Sequence, residues 1–131
     1  MAVELEIAVR VFGELETVVM ARLWDLDGQG TVRDVLEKIQ LEREIAYTTV
    51  LSTMENLYRK GHLTRDREGK AYRYRTALSH AEHTAGLMRE ALSGGQDTDA
   101  VLTHFVGDMS EDELKRLRDV LTRRGTGASG R

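Results

Sequence analysis

The sequence predicts a mainly α-helical chain carrying one small β-hairpin wing, and three observations lead to that fold class. Apolar residues recur at three- and four-residue steps through most of the 131 residues, the signature of helices that bury one face. The period drops to two around Glu68-Gly69-Lys70, where Tyr72 and Tyr74 alternate with Arg73 and Arg75. Helix starts of the form Ser/Thr-x-x-Glu/Asp occur at Thr31, Ser79 and Ser110, where a side chain at each end of the motif can satisfy an orphan backbone donor.

Taken in order, residues 3–11 alternate Val3, Leu5, Ile7, Val9 and Val11 with mostly polar or small residues, which suits a strand or a lead-in of no assigned role. From Glu14 the period lengthens, and Leu15, Val18, Val19, Leu23 and Leu26 mark a first helix ending near Trp24-Asp25. Asp27-Gly28-Gln29-Gly30 reads as a turn. Thr31 then caps a short second helix whose inward face is Val32, Val35, Leu36 and Ile39. A third helix is expected from about Ala46 to Lys60, with Tyr47, Val50, Leu51, Met54, Leu57 and Tyr58 inward and Gly61 as its stop. The hairpin arms follow at 63–67 and 71–76. Three helices and a hairpin in this order predict a winged helix-turn-helix, assigned to residues 1–77.

Residues 78–124 contain three more helices. Their apolar stripes are Ala85, Met88, Ala91 and Leu92, then Val101, Leu102, Phe105 and Val106, then Leu114, Leu117, Val120 and Leu121. This segment is shorter than the roughly 70 residues below which a lone core seldom suffices. It is therefore expected to meet either the hairpin domain or its own copy, with Met88, Leu92, Leu102, Phe105, Leu114, Leu117 and Leu121 as interface residues. Residues 125–131, rich in glycine, are expected to form a flexible tail.

Composition narrows the function. The chain has no cysteine, so thiolate metal sites, disulfide switches and cysteine nucleophiles are excluded. No apolar run approaches a membrane span, and the N-terminal residues lack a basic segment before an apolar one, so the cytoplasm is the expected location and no membrane is expected as a partner. No Ser-His-Asp order, phosphate-binding glycine loop or paired-carboxylate motif is present, and no enzyme and no cofactor are expected. His80 and His83 have a chelating spacing, but no third ligand lies nearby and no metal is assigned.

The net charge of −3 conceals an uneven distribution. Residues 1–42 hold four basic and nine acidic side chains, residues 43–75 eight and four, and residues 76–131 seven and nine. A basic middle between acidic flanks points to a confined anion-facing surface, with double-stranded DNA as the expected partner. The outward positions of the third helix are Thr48, Thr49, Ser52, Thr53, Glu55 and Asn56, then Arg59 and Lys60. An unconstrained helix face favours Glu, Lys, Gln or Ala over threonine. Short hydroxyls and an amide suit close approach to base edges in a major groove, so Thr48, Thr49, Ser52, Thr53 and Asn56 are the candidate base readers. Thr31, Arg59, Lys60, Arg65, Arg67, Lys70 and Arg73 are the candidate phosphate contacts, with Arg75 beside them. Tyr72 and Tyr74 are assigned to the hairpin core. A winged-helix module using the same face against another protein is the second reading.

The runs Gly13-Glu-Leu-Glu-Thr-Val-Val-Met-Ala-Arg-Leu-Trp24, Thr31-Val-Arg-Asp-Val-Leu36 and Ala46-Tyr-Thr-Thr-Val-Leu-Ser-Thr-Met-Glu-Asn-Leu-Tyr-Arg-Lys-Gly61, with Tyr72-Arg-Tyr74 and His104-Phe-Val106, resemble the penicillinase-repressor (BlaI/MecI) family over about residues 13–122. The resemblance implies a homodimeric repressor that binds inverted-repeat operators through the winged helix and dimerises through the C-terminal helices. It also implies a regulatory protease that cuts in the dimerisation region, with His104 and Phe105 as the candidate bond. Asn56 stands where relatives usually carry arginine, and His104 stands where cleavable relatives carry asparagine. Copper-responsive relatives have a C-terminal cysteine cluster, which this chain lacks.

Overall fold

The computed structural model describes residues 12–129, so the alternating segment at 3–11 lies outside the described residues. The order of elements is α1 (Glu14–Asp25), β1 (Gln29–Gly30), α2 (Val32–Gln40), α3 (Tyr47–Arg59), β2 (Leu63–Glu68), β3 (Ala71–Thr76), α4 (His80–Ser93), α5 (Thr98–Gly107) and α6 (Glu111–Ser129). The backbone divides into two units, one ending at Ala91 and the other beginning at Leu92.

In the first unit three helices close over a three-stranded antiparallel sheet of order β1-β3-β2. Val19 and Leu23 from α1, Val35 and Ile39 from α2, Val50, Met54 and Leu57 from α3, and Leu63 and Tyr74 from the hairpin form the most deeply buried part of the core. α1 starts where the Gly13 N–H donates to Glu16 Oε1 at 2.9 Å. α2 starts with a reciprocal pair: Asp34 N–H donates to the Thr31 hydroxyl at 3.1 Å and Thr31 N–H to Asp34 Oδ2 at 2.9 Å. α3 stops at Gly61, whose φ of +88° lets His62 N–H reach back to the Leu57 carbonyl at 2.9 Å.

Two expectations for this unit are corrected. Asp27–Gly30 is a turn only in its first half, because Gln29 and Gly30 pair with Arg75 and Tyr74 as a third strand. The turn needs Gly28: its φ is +82°, and a Cβ there would lie 3.0 Å from the Thr76 hydroxyl. On α3, Tyr47 and Tyr58 are 43% and 39% exposed, whereas Thr53 is buried. Positions 50, 53, 54 and 57 follow the helical period, so Thr53 belongs to the inward stripe; its hydroxyl is satisfied locally, donating to the Thr49 carbonyl at 2.8 Å.

The first unit does not end with the hairpin. Trp24 Nε1 donates to the Leu78 carbonyl at 3.0 Å. The Trp24 ring lies 4.9 Å from His80 and 5.3 Å from His83, while Phe12 stacks on His83 at 4.8 Å and meets His62 edge-on at 4.8 Å. The start of α4 is thus fastened to α1 by rings, which extends this body beyond the expected boundary at residue 77.

The remaining helices are well started and poorly covered. Ser79 and Glu82 close a capping box on α4, as Ser110 and Glu113 do on α6, and Asp97 caps α5 through Ala100 N–H. No residue of α4 or α5 is buried. α6 continues to Ser129, through Gly125 and past the expected start of the tail. Once a helix is nucleated each further residue adds a bond, so a glycine that costs about 1 kcal/mol weakens it without ending it.

Burial, and then the nearby His62 and His80, hold the His83 imidazole below its ordinary range. The unfolded chain therefore binds this proton more readily than the folded one. The stability contributed by neutral His83 is fully present above about pH 6.5 and is lost as pH falls through the depressed folded value. The full chain should melt at a lower temperature at pH 5 than at pH 7, in part through this group. His83→Phe, which keeps a ring against Phe12 and Trp24, should flatten that part of the profile in a calorimetric pH series; an unchanged slope would contradict the account.

Candidate nucleic-acid interface

The outward face of α3 keeps most of its expected members. Thr48, Ser52, Asn56 and Arg59 are exposed and Thr49 is half-buried. Ser52 donates to the Thr49 carbonyl at 3.2 Å, leaving its oxygen free to accept from a partner. Arg59 donates to the Asn56 side-chain oxygen, which orients that amide from the next helical turn. Thr53 is not a base reader: it is buried and faces the core.

The wing has two unlike faces, set by the register that pairs Arg65 with Tyr74, Asp66 with Arg73, and Arg67 with Tyr72. One face carries Arg65, Arg67, Tyr72 and Tyr74. There the Arg67 guanidinium carbon lies 5.4 Å from the Tyr72 ring, and Arg65 is enclosed by tyrosines. The expectation for Tyr74 holds, since it is 1% exposed, and Tyr72 packs against the core. The other face is a ladder of ion pairs, with Arg73 on Glu68 at 2.7 Å and Arg75 on Asp66 at 3.5 Å. Arg75 also donates to Gln29 at 2.9 Å.

Most of the basic middle segment is therefore already engaged. Lys60 holds Glu16 at 2.7 Å, tying the end of α3 to the start of α1. Burial alone would raise the Glu16 carboxyl, but the bonds from Lys60 and from Gly13 N–H together bring it below the ordinary carboxylate range. Arg73 is held still more firmly in its charged form by the bond to Glu68. Lys70, at the hairpin tip, is exposed and has no ion-pair partner among the described residues. The Thr31 hydroxyl accepts its cap bond and so keeps its own proton to donate.

An open cleft of about 390 Å³ runs between α3 and the wing, bordered by Thr31, Arg33, Tyr47, Glu55, Lys70 and Tyr72. Arg33, whose guanidinium carbon lies 5.7 Å from the Tyr47 ring, was not singled out in the sequence. Its position two residues after the Thr31 cap is the available signal, because the first turn of α2 borders the cleft. Among the described residues no group of three or more His, Asp or Glu side chains could hold a metal ion. No described helix is long and apolar enough to cross a membrane.

A helix face of short polar side chains flanked by a hairpin wing defines a winged-helix regulator of transcription. Solved structures agree on the fold: a MarR family protein from Bacillus stearothermophilus superposes with a TM-score of 0.50 at 16% identity, over 95% of this chain and 81% of that one. A mutant of S. aureus MepR gives 0.50 at 16% identity, over 94% and 84%. The family is narrower than the fold. The penicillinase repressor family model matches residues 12–123, and the chain belongs to that family. Transcriptional regulator BlaI of Mycobacterium tuberculosis is 36% identical over 122 residues, 91% of this chain and 88% of its own length. Methicillin resistance regulatory protein MecI of Mammaliicoccus sciuri is 24% identical over 115 residues, 83% and 91%. These relatives are regulators, and the family is not enzymatic.

The ion-pair ladder makes a direct prediction. Glu68→Gln should release Arg73 and remove a negative charge from the wing, tightening duplex DNA by on the order of fivefold, the equivalent of ~1 kcal/mol for one charge about 4 Å from a phosphate in water. Fluorescence anisotropy at low salt measures it; weaker or unchanged binding would show that this face of the wing stays away from DNA.

Proposed function

We propose that the chain is a homodimeric, sequence-specific repressor that acts in the cytoplasm on an inverted-repeat operator. Thr48, Thr49, Ser52 and Asn56 read base edges in the major groove. Thr31, Arg33, Arg59, Arg67 and Lys70 take phosphates, Lys70 from the wing tip. The observation that carries this reading is the exposed hydroxyl-and-amide face of α3 beside the cleft, in a chain whose family consists of repressors. Arg73 joins the phosphate contacts once DNA displaces Glu68, whereas Lys60 serves Glu16 instead.

What supports the dimer is the state of the C-terminal helices. Met88, Leu102, Phe105 and Leu121 are 51%, 42%, 49% and 60% exposed, and Leu92, Leu114 and Leu117 are half-buried. Apolar stripes on successive helices left this open need a second body, and a second copy offers the same stripes by two-fold symmetry. Release from the operator follows cleavage by a regulatory protease at His104-Phe105. Both residues are exposed on α5, and cutting there divides the interface without touching α3.

Sedimentation equilibrium should give a dimer at micromolar concentration, and Phe105→Asp or Leu121→Asp should give a monomer. The monomer should bind an inverted repeat about 10²-fold more weakly, because its second contact is no longer tethered at high effective concentration. Thr49→Ala and Ser52→Ala should erode preference for the operator by about 1–3 kcal/mol per lost base contact, whereas Lys70→Ala should weaken all duplexes alike. A monomeric full-length protein would refute the dimer. Uniform losses from both mutant classes would refute α3 as the reader.

A further inference from the structure

Arg65 has surroundings unlike those expected of a phosphate clamp. Its guanidinium carbon lies 4.0 Å from the Tyr58 ring centroid on α3 and 4.0 Å from that of Tyr72 on β3, with the Tyr74 ring at 5.9 Å. Its Nη1 donates to the Tyr74 hydroxyl at 3.3 Å. Among the described residues no carboxylate pairs with it, and it is half-buried where Arg67 and Lys70 are exposed. A planar cation held at contact distance from a helix ring and a strand ring is a wedge between two elements.

The wing needs such a wedge. β1 pairs only with Tyr74 and Arg75, at the root of the hairpin, so beyond that point two strands stand without a third, and isolated two-stranded hairpins are marginal. Lys70 lies five residues from Arg65 along the hairpin, its turn roughly 13 Å away at about 3.3 Å per residue. A tilt of about 15° at the root would carry the tip roughly 3 Å sideways, more than the margin of a hydrogen bond.

We infer that Arg65 is a positioning residue that sets the angle of the wing against α3, and that it holds no phosphate itself. The inference deepens the DNA-binding reading and, in its DNA arm, rests on it. Arg65 fixes Tyr58 at the end of the reading helix against Tyr72 in the wing, so that one geometry serves base contacts and tip contacts together. Lys70 can reach its phosphate only while the stack is intact.

The test uses the full chain with Arg65→Gln, Tyr58→Leu, Lys70→Ala and the Arg65→Gln/Lys70→Ala double variant, titrated with duplex DNA over a range of salt. Each single variant should reduce the log–log salt slope by about 0.9, the value for one phosphate contact, and the double variant by no more. A double variant reduced by about 1.8 would mean that Arg65 binds a phosphate of its own, and Tyr58→Leu binding like the parent would mean that the stack positions nothing. If Arg65→Gln unfolds, Arg65→Lys replaces it: a slope equal to the parent's overturns the inference, and a Lys70-like loss supports it. Hydrogen exchange without DNA reads the same device independently. Amides of residues 64–75 should exchange faster in Arg65→Gln and Tyr58→Leu but not in Lys70→Ala; equal protection in all would overturn the inference. Should the parent chain bind no duplex, the DNA reading fails while the exchange result still decides whether Arg65 sets the wing.

Discussion

The constraint on which the structure turns is that α3 must be anchored on one side and left bare on the other. Val50, Met54 and Leu57 meet that demand on the inner side: each is fully buried, and the i, i+4, i+7 spacing keeps them in one row. α1 and α2 exist to receive this row, and Leu63 and Tyr74 close it from the sheet. Because the inner row supplies the binding energy of the helix to its scaffold, the outer row is free to carry threonine and serine, which contribute little to helix stability. The Lys60–Glu16 bond adds a polar fastening at the C-terminal end of α3, just before the chain turns into the wing.

The electrostatics of the wing differ from what charge counting suggests. A surplus of cations in residues 43–75 reads as an open positive surface, yet Arg73, Arg75 and Lys60 already face carboxylates, and Arg65 faces tyrosines. On such a surface any phosphate contact to Arg73 or Arg75 has to displace a carboxylate, so part of its favourable charge interaction replaces one that existed before. Exposed pairs such as Arg73–Glu68 are worth about 0–1 kcal/mol, which makes the exchange easy. The free wing thus presents fewer unpaired cations than a count of its arginines and lysines suggests.

The helices and hairpin were legible because each rests on a local rule: the apolar period, the Thr31-Asp34, Ser79-Glu82 and Ser110-Glu113 boxes, and the glycines at 61 and 69. β1 was not, because two residues have no period and pair only through a contact more than forty residues away. On α3 spacing leaves the edges of the stripe open: Tyr47 and Tyr58 fit the same period as Val50, Met54 and Leu57 yet are exposed, while Thr53 fits it too and is buried. The engagement of Arg65, Lys60 and Arg73 lay beyond reach for another reason. Which cation meets which carboxylate or ring is decided by strand register and helix packing, neither of which is written in one stretch of chain. The join between Trp24 and the His80–His83 turn is likewise a product of three-dimensional proximity.

Two features meet in the C-terminal helices: no residue of α4 or α5 is fully buried, yet α4, α5 and α6 each begin at a side-chain cap. The Glu113 carboxyl is held below its ordinary range by the backbone and hydroxyl of Ser110, a local arrangement that owes nothing to a partner. The difficult part of forming a helix, fixing several residues for the first bond, is thus assisted within the chain itself. Whatever covers these stripes meets surfaces already shaped, with less ordering left to the moment of association. A helix that holds its own start keeps its shape whether its apolar stripe is covered or bare.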